Sequence, residues 1–254
     1  MSETLYAHEQ GDGDAVIVLL HGFVGSHASW AKIQGELANG ARTIAFDLPG
    51  FGESLGYENA GPAKVAAKAV LGELKKRKTS GVHLVGHSMG GAVAALAALT
   101  APTDIASLTL LAPGGFGPEI NYRLLQHFAA TTEPDAMRLI LENMYGWNNP
   151  VGQATVDDLV AMRGRSGQTD MLVKIGSYLA RDGKQGVIPR AQLATLDMPV
   201  KVIWGTQDRV LPTRQAHRLP GRFAAHIFED TGHMLPDEIP DAVCQLVREN
   251  IRKF

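Results

Sequence analysis

The residues that the chain lacks already exclude several kinds of protein. A single cysteine, Cys244, stands among 254 residues, so no internal disulfide and no thiolate metal cluster can form. No apolar run approaches the ~20 residues that a membrane-spanning helix requires. The acidic first residues, MSETLYAHEQGDGD, lack the apolar segment of a signal peptide. We therefore expect a protein of a reducing compartment, most simply the cytoplasm, without a membrane partner.

An excess of positive charge is also missing. The formal net charge is -2, from 24 Lys and Arg against 26 Asp and Glu, so the composition gives no sign of a nucleic-acid partner. The one basic run, KKRK at Lys75–Lys78, ends a helical pattern, where positive charge complements the helix dipole. Hydrophobic residues make up 45% of the chain, which is enough for one large domain with a sizeable core.

The chain does contain a regular alternation of two patterns. Short continuous apolar runs predict strands buried on both faces, as in a parallel sheet. These runs are Val16–Leu20, Thr43–Phe46, His83–Val85, Leu108–Leu111, Val200–Trp204 and, more weakly, Ala225–Phe228. The segments with helical character are Ser29–Leu37, Ala63–Lys76, Met89–Thr100, Arg214–Leu219 and Ala242–Ile251. This alternation predicts an α/β fold with a mainly parallel sheet flanked by helices.

One interval, residues 118–196, has no strand pattern. It contains helical pieces such as Pro134–Tyr145 and Gln168–Arg181, and a structureless loop of that length is uncommon inside a compact domain. We predict a helical cap over 118–196 on an α/β core of residues 1–117 and 197–254. Apolar residues of the cap are candidates for lining a substrate pocket: Tyr122, Phe128, Met137, Leu141, Met144, Tyr145, Trp147 and Met162.

The stretch HLVGHSMGGAVAAL, from His83 to Leu96, crowds glycines around one serine. Ser88 stands between a predicted strand and a predicted helix, and so sharp a turn leaves no room for side chains two residues away. Gly86 and Gly90 remove those side chains. The turn places the Ser88 hydroxyl at the carboxyl end of the sheet, where open α/β folds bind ligands. The pattern predicts a nucleophile elbow, although a glycine-rich turn can also serve packing alone.

A serine nucleophile needs a base and an acid that orients the base. Asp208, in VIWGTQD, follows a predicted strand, and its alternative interpretation is an ordinary turn aspartate. The position after the preceding strand reads APGGFG and offers no carboxylate. His233, in EDTGHML, follows the last predicted strand, which gives the chain order Ser, Asp, His. The carboxylates near it are interpreted as loop and helix-start charges: Asp230, Asp237 and Glu238.

Such chemistry also needs two backbone N–H groups that bind the negative charge of the transition state. The amide of Met89, directly after the serine, is one candidate. The second is the amide of Phe23, because His21-Gly22 turns the chain after the first buried strand. A tight structural turn alone would also explain this pair of residues.

These motifs together resemble the α/β-hydrolases over essentially the whole chain. The resemblance rests on HGFVGS, DLPGFGES, VGHSMGG, WGTQDRVLP and TGHMLPDE. It implies a catalytic triad of Ser88, Asp208 and His233, an oxyanion hole at Phe23 and Met89, a helical cap, and no metal or organic cofactor. The stretch LTLLAPGGFGPEIN is similar to the hydrolase-like domain of the acyltransferase component of acetoin-cleaving systems.

The resemblance leaves several activities open. Serine at position 88 excludes the haloalkane dehalogenase and epoxide hydrolase branches, which use aspartate there. The carbon–carbon hydrolases of ring-cleavage pathways share SMGG, but His87 and Met234 stand where they usually have Asn and Trp. We expect a hydrolase of small carboxylic esters, lactones or thioesters that acts on a small-molecule acyl substrate. The alternatives are a carbon–carbon hydrolase, an acyltransferase, and a small-molecule receptor that keeps the triad.

Overall fold

The computed structural model describes residues 4–251, which contain one seven-stranded sheet. The strands are β1 Ala7–Gln10, β2 Val16–Leu20, β3 Arg42–Phe46, β4 Val82–His87, β5 Ile105–Leu111, β6 Val200–Gly205 and β7 Phe223–Phe228. Their order across the sheet is β1-β3-β2-β4-β5-β6-β7, and every neighbouring pair is parallel except β1 and β3. The mainly parallel sheet is therefore confirmed, and β1 is an addition that its polar sequence, AHEQ, did not indicate.

Ten α-helices accompany the described strands. They are α1 Ala31–Leu37, α2 Ala63–Lys76, α3 Met89–Thr100, α4 Tyr122–Ala130, α5 Pro134–Glu142, α6 Gln153–Arg163, α7 Gln168–Leu179, α8 Arg190–Leu193, α9 Leu235–Glu238 and α10 Pro240–Ile251. Helix α1 packs against α10, and α2 packs against α3. The connection from β2 to β3 through α1 runs across the sheet in one direction, and the connections through α2 and α3 run in the other. Right-handed crossovers therefore place α1 and α10 on one face and α2 and α3 on the opposite face.

Because helices cover both faces of the sheet, the residues on both sides of each central strand are apolar, and the strands appear in the sequence as continuous apolar runs. In each of the strands β4 and β5 all residues but one are buried. Trp204, which ends the apolar run of β6, is also fully buried. Burial of apolar surface at roughly 25 cal/mol per Å² makes this central sheet the main source of folding free energy. Cys244 lies buried in α10, with its Sγ atom 3.9 Å from the Ile33 carbonyl of α1.

The chain between β5 and β6 forms helices α4 to α8, which we call the α4–α8 segment (residues 112–199). The predicted helices α5 and α7 are present, whereas α4, α6 and α8 were not predicted. In helix α6, QATVDDLVAMR, the apolar residues are not concentrated on one face, so the sequence shows no clear helical stripe. The segment Thr213–Arg218, where a helix was expected, is a 3₁₀ helix. The division into core 1–117 and 197–254 and cap 118–196 stays a prediction.

Polar contacts attach the α4–α8 segment to the loop after β3. The buried Gln168 side chain donates to the Gly50 carbonyl at 2.9 Å and accepts from the Gly52 amide at 3.0 Å. Arg165 and Glu53 form an ion pair beside it. None of the helices within residues 4–251 is long and apolar enough to cross a membrane.

Candidate active site

Ser88 occupies the turn between β4 and α3 with an unusual backbone conformation. Its φ of 53° and ψ of -115° lie where a residue with a Cβ atom rarely stays. Cβ atoms added at Gly86 and Gly90 would collide with the Gly90 carbonyl and with the Leu20 carbonyl, respectively. The glycines therefore permit the close approach of β2, β4 and α3 that holds this turn, as the sequence predicted.

The three residues expected from the sequence to act together are adjacent in space. The Nε2 atom of His233 lies 3.0 Å from Ser88 Oγ, and its Nδ1 atom lies 2.8 Å from Asp208 Oδ2. An ionised carboxylate only accepts hydrogen bonds, so the imidazole donates Nδ1–H to Asp208. Its Nε2 lone pair then faces the serine hydroxyl. Such a chain can move a proton from the serine to the ring.

Asp208 is held as a buried acceptor by the loop after β6. Its Oδ1 atom accepts from the amides of Val210 and Leu211, each at 2.8 Å. Its Oδ2 atom accepts from Trp204 Nε1 at 3.0 Å as well as from His233. The carboxylate is fully buried, and a buried charge of this kind is stable only when hydrogen bonds replace its hydration. These donors fix both the charge and the orientation of the group.

The loop that carries His233 is fixed by Glu238, at the end of α9. Its carboxylate accepts from the amides of Gly232 and Met234, each at 2.9 Å, and from the amide of Gly146 at 2.7 Å. The His233 amide donates to the Met144 carbonyl. The turn after α5 therefore anchors this loop, and the sequence reading of Glu238 as a helix-start charge missed that contact. Its only sequence signal was the four-residue spacing from Met234.

The amides of Phe23 and Met89, expected to bind an oxyanion, flank the serine. A Cβ atom on Gly22 would lie 3.3 Å from Ser88 Cβ, which places the Gly22–Phe23 peptide beside Ser88. Within residues 4–251 neither amide donates to another protein group. Both N–H groups are thus free to receive a ligand oxygen.

The directions of these two N–H groups are set by their own peptide units, because C=O and N–H point opposite ways in a trans peptide. The Gly22 carbonyl accepts from His21 Nδ1 at 2.8 Å and from the Gly25 amide at 3.1 Å. The Ser88 carbonyl accepts from amides that follow it in α3 and from Gly114. Each carbonyl is therefore held away from the site, which aims the attached N–H toward it.

His21 is the residue that orients the first of these peptides. It is fully buried, donates through Nδ1, and accepts the Leu48 amide at Nε2, 3.0 Å away. Burial lowers the pKa of its ring, although Asp47 opposes that effect. A neutral ring with a fixed tautomer suits one donor and one acceptor role. The sequence marked His21 only as part of a turn.

Two pockets with different linings adjoin Ser88. The His233-side pocket has a volume of about 190 Å³, and Gly22, His87 and His233 belong to its lining. The Met89-side pocket has a volume of about 430 Å³, and Met89 belongs to its lining. Both pockets reach Phe23, Ser88 and Leu125. A molecule bound at the serine can therefore extend one end into each pocket.

Three of the eight residues proposed from the sequence as pocket lining do line one. Phe128, Met144 and Met162 contact the His233-side pocket. Met137, Leu141 and Tyr145 are buried but pack elsewhere, and Trp147 is 76% exposed. Tyr122 is the eighth candidate, and it lines neither pocket. The walls of the Met89-side pocket include α7 and the loop before α8, whose role the sequence did not indicate.

The sequence is related to known hydrolases and to one acyltransferase component. The dihydrolipoyllysine-residue acetyltransferase component of the acetoin cleaving system of Cupriavidus necator is 31% identical over 89% of this chain, and the match spans 60% of that protein. The 2-hydroxy-6-oxononadienedioate/2-hydroxy-6-oxononatrienedioate hydrolase of Cupriavidus pinatubonensis is 28% identical over 90% of this chain and 84% of its own length. The likeness to the acetoin-system component, expected from the sequence, is confirmed.

Solved structures and the family profile agree with these relatives. The 2-hydroxy-6-oxo-6-phenylhexa-2,4-dienoate hydrolase from Rhodococcus sp. strain RHA1 superimposes with a TM-score of 0.83 at 25% identity, covering 98% of this chain and 96% of that chain. The profile of the Alpha/beta hydrolase family matches residues 17–246. The match extends from the first buried strand to the last helix, and the chain accordingly belongs to the alpha/beta hydrolase family.

Proposed function

We propose that this hydrolase cleaves small carboxylic esters, lactones or thioesters through an acyl-enzyme on Ser88. The observation that supports the proposal most directly is the unbroken hydrogen-bonded chain from Ser88 Oγ through His233 to Asp208. The two free amides of Phe23 and Met89 add the electrophilic half of the site. Together they supply the nucleophile, the base, its orienting acid and the oxyanion donors that acyl transfer requires.

The first step is attack of the serine on the substrate carbonyl. His233 Nε2 takes the hydroxyl proton as the Oγ–carbon bond forms, and the carbonyl electron pair moves onto its oxygen. The Phe23 and Met89 amides donate to that oxyanion, since their peptides are already oriented and need no rearrangement. Asp208 stabilises the imidazolium that results.

The two pockets support a placement for each end of the ester. The leaving oxygen must accept the proton from His233 Nε2, so the alcohol lies in the His233-side pocket. The acyl chain takes the remaining direction from the tetrahedral carbon, into the larger Met89-side pocket. After the alcohol leaves, His233 removes a proton from water, and hydroxide attack releases the acid and restores Ser88.

The relatives support a second candidate, hydrolysis of a carbon–carbon bond. Enzymes named for oxo-dienoate and oxo-dienedioate substrates resemble this chain over most of its length. The same three residues would serve that reaction, in which the group that leaves is a carbanion equivalent rather than an alkoxide. Acyl transfer to an alcohol or thiol is a third candidate, because the acetoin-system relative is named as an acetyltransferase component.

The test is a substrate panel combined with active-site labelling. The purified enzyme is offered p-nitrophenyl esters from acetate to octanoate, a lactone, a thioester and a vinylogous ring-cleavage diketone. We expect turnover of short esters with a burst of p-nitrophenol, and intact-mass detection of one acyl group on Ser88. A fluorophosphonate should label wild type and leave Ser88→Ala unlabelled. Cleavage of the diketone without ester turnover would transfer the assignment to carbon–carbon hydrolysis. Transfer of the acyl group to an added alcohol or thiol, in place of hydrolysis, would indicate a transferase.

A further inference from the structure

The wall of the His233-side pocket carries a ring nitrogen that the proposed mechanism does not use. His87 is 6% exposed, and its Nε2 atom lies 2.8 Å from the His233 carbonyl. A carbonyl only accepts, so Nε2 carries the proton and Nδ1 keeps its lone pair. Within the described chain no donor reaches Nδ1, which faces Gly22 and the pocket. His87 therefore presents a buried, unoccupied acceptor next to the nucleophile.

The His87 ring stays neutral near neutral pH, so Nδ1 keeps its lone pair there. Burial, with repulsion from the neighbouring His233 ring, lowers the pKa of His87 to about 3. The two rings lie 4.9 Å apart, so a proton on His87 would oppose the charge that His233 gains during attack. A neutral ring with its proton on Nε2 can accept a hydrogen bond at Nδ1 but cannot donate one there.

A second acceptor lines the same pocket farther out, on α6. The carboxylate of Asp158 has no hydrogen-bond or ion-pair partner among residues 4–251. Partial burial and repulsion from Asp157 and Asp237 raise the pKa of its carboxyl group. An uncompensated carboxylate gains stability when a donor approaches it, and a second anion at the same place loses stability.

The other charged groups around this pocket already have partners. Lys32 Nζ lies 3.1 Å from Asp237 Oδ1, and Asp237 also accepts from the hydroxyls of Tyr145 and Thr155. Arg163, which is not part of the lining, donates to two backbone carbonyls. His27, whose charge attracts Asp158, is bound to Asp47. The pocket therefore offers hydrogen-bond acceptors and a net negative charge to the group that enters it.

We propose that the His233-side pocket selects an alcohol leaving group that carries its own hydroxyl donors, as in a glycerol monoester, through His87 Nδ1 and the Asp158 carboxylate, and that it discriminates against a leaving group that ends in a carboxylate. This specificity rests on the proposed ester hydrolysis. The Met89-side pocket, which holds the acyl chain in that mechanism, plays no part in it.

The test compares three butyrate esters that differ only in the alcohol: n-propyl, 2,3-dihydroxypropyl and 2-carboxyethyl. A hydrogen bond of this kind contributes about 0.5–1.5 kcal/mol, so wild type should favour the dihydroxypropyl over the propyl ester roughly three- to tenfold in kcat/KM. The carboxyethyl ester should be the slowest of the three. Because the acyl group is constant, the ratios report on the alcohol side of the ester, and their change on substitution reports on the leaving-group pocket.

Variants on α6 test the contribution of Asp158. Asp158→Asn should raise kcat/KM for the carboxyethyl ester relative to the propyl ester by roughly two- to fivefold, since it removes the repelling charge of an exposed side chain. Asp157→Asn is the matched control: the same helix loses the same charge at a neighbouring exposed residue, whose carboxylate accepts from Gln153 and does not line the pocket. The control should leave the ester ratios within twofold of wild type.

Two substitutions of His87 separate its two nitrogens. His87→Gln places an amide nitrogen near the Nε2 position and removes the Nδ1 acceptor, so the preference for the dihydroxypropyl ester should fall toward one. His87→Asn keeps a polar atom near Nδ1 and loses the donor to the His233 carbonyl. That variant should retain the preference and lower kcat for all three esters. A purely structural role would make both variants lose the same activity on every ester.

Failure of the inference and failure of the proposed function give different results. If no ester is hydrolysed by wild type above the level of Ser88→Ala, the proposed function is wrong. The specificity proposal is wrong if the esters are hydrolysed but the dihydroxypropyl and propyl esters have equal kcat/KM. It is also wrong if neither Asp158→Asn nor His87→Gln changes the kcat/KM ratios between the esters. A higher kcat/KM for the carboxyethyl ester than for the propyl ester would also contradict the specificity proposal.

Discussion

The turn around Ser88 and the α4–α8 segment above it are built in opposite ways. The turn is made of backbone: strained dihedral angles, glycines without room for a Cβ atom, and peptide N–H groups aimed by the carbonyls they belong to. The α4–α8 segment meets the site with side chains such as Phe128, Met162 and Asp158. In the proposed function, backbone geometry would determine whether acyl chemistry can occur, and side-chain packing would determine which molecule undergoes it.

The two regions nevertheless share one element of the proposed triad, the loop of His233. Its amide donates to the Met144 carbonyl, and Glu238 ties it to Gly146. A Cβ atom on Gly232 would collide with the Met144 carbonyl. The base is therefore positioned by the α4–α8 segment as well as by the sheet. Substitutions in each region can test whether the Ser88 turn governs the reaction rate and the α4–α8 segment governs the choice of substrate.

The largest effect is expected in the proposed triad. Ser88→Ala, Asp208→Asn and His233→Ala should each lower kcat by roughly three orders of magnitude or more, because each removes part of one unit. The double variant Ser88→Ala/His233→Ala should be hardly slower than either single variant. Steady-state kinetics with a short p-nitrophenyl ester measure these losses. Circular dichroism should show the wild-type fold, and a Ser88→Ala enzyme with most of its activity would contradict the assignment.

The next largest effect is expected from Gly90→Ala in the turn. Its new Cβ atom would meet the carbonyls of Leu20 and His21 in β2 and the loop after it, so backbone must shift. We expect a loss of about 1–3 kcal/mol in the free energy of unfolding, together with a large loss of kcat. Urea denaturation measures the first quantity.

Gly72→Ala is the matched control for that substitution. Gly72 lies inside α2, and a Cβ atom there meets no other atom within 4 Å. Alanine is favoured over glycine in a helix interior by about 1 kcal/mol, so this variant should gain stability and keep its kcat. Equal stability of the two variants would mean that crowding does not explain the glycine at position 90.

A smaller effect is expected where the α4–α8 segment meets the loop after β3. Gln168→Leu keeps the volume but leaves the Gly50 carbonyl and the Gly52 amide without their partner. Unpaired buried groups cost about 1–3 kcal/mol, measured as a lower midpoint of urea unfolding. Gln245→Leu, at an exposed residue of α10, should change stability by less than about 0.5 kcal/mol. Similar losses in both variants would argue against the bridging role of Gln168.

The same contrast explains what the sequence could predict. The strands, the turn and the positions of Ser88, Asp208 and His233 follow from local patterns, because each sits at the end of an apolar run. His21, His87 and Glu238 act through partners 27 to 146 residues distant or through loop geometry, and one sequence carries no signal for such pairs. Strand β1 escaped prediction because an edge strand needs no continuous apolar run.

The smallest effect concerns His27, which lies near charges of the loop after β3 and of the α4–α8 segment. Its Nδ1 atom lies 2.8 Å from Asp47 Oδ1. This hydrogen bond raises the pKa of His27 although partial burial opposes it, and Glu53 and Arg165 act in opposite directions. Burial alone would raise the pKa of Asp47, but hydrogen bonds from His27 and from backbone amides hold it below its usual value.

His27→Gln should therefore destabilise the protein in a limited pH window. A raised histidine pKa contributes stability that is complete below the unfolded value of about 6.5 and is lost as pH rises through the folded value. The lowered pKa of Asp47 contributes stability above about pH 4 that is lost on further acidification. Wild type and variant should thus differ most between about pH 4 and 6.5 and converge by about pH 9. Because the His27 side chain is 26% exposed, the difference should stay below about 1 kcal/mol. Urea unfolding at pH 5.5 and 9 measures it, with His127→Gln, an exposed residue of α4 without an ion-pair partner in the described chain, as control. A difference that grows toward pH 9 would mean that the Asp47 pair does not favour the charged form of His27.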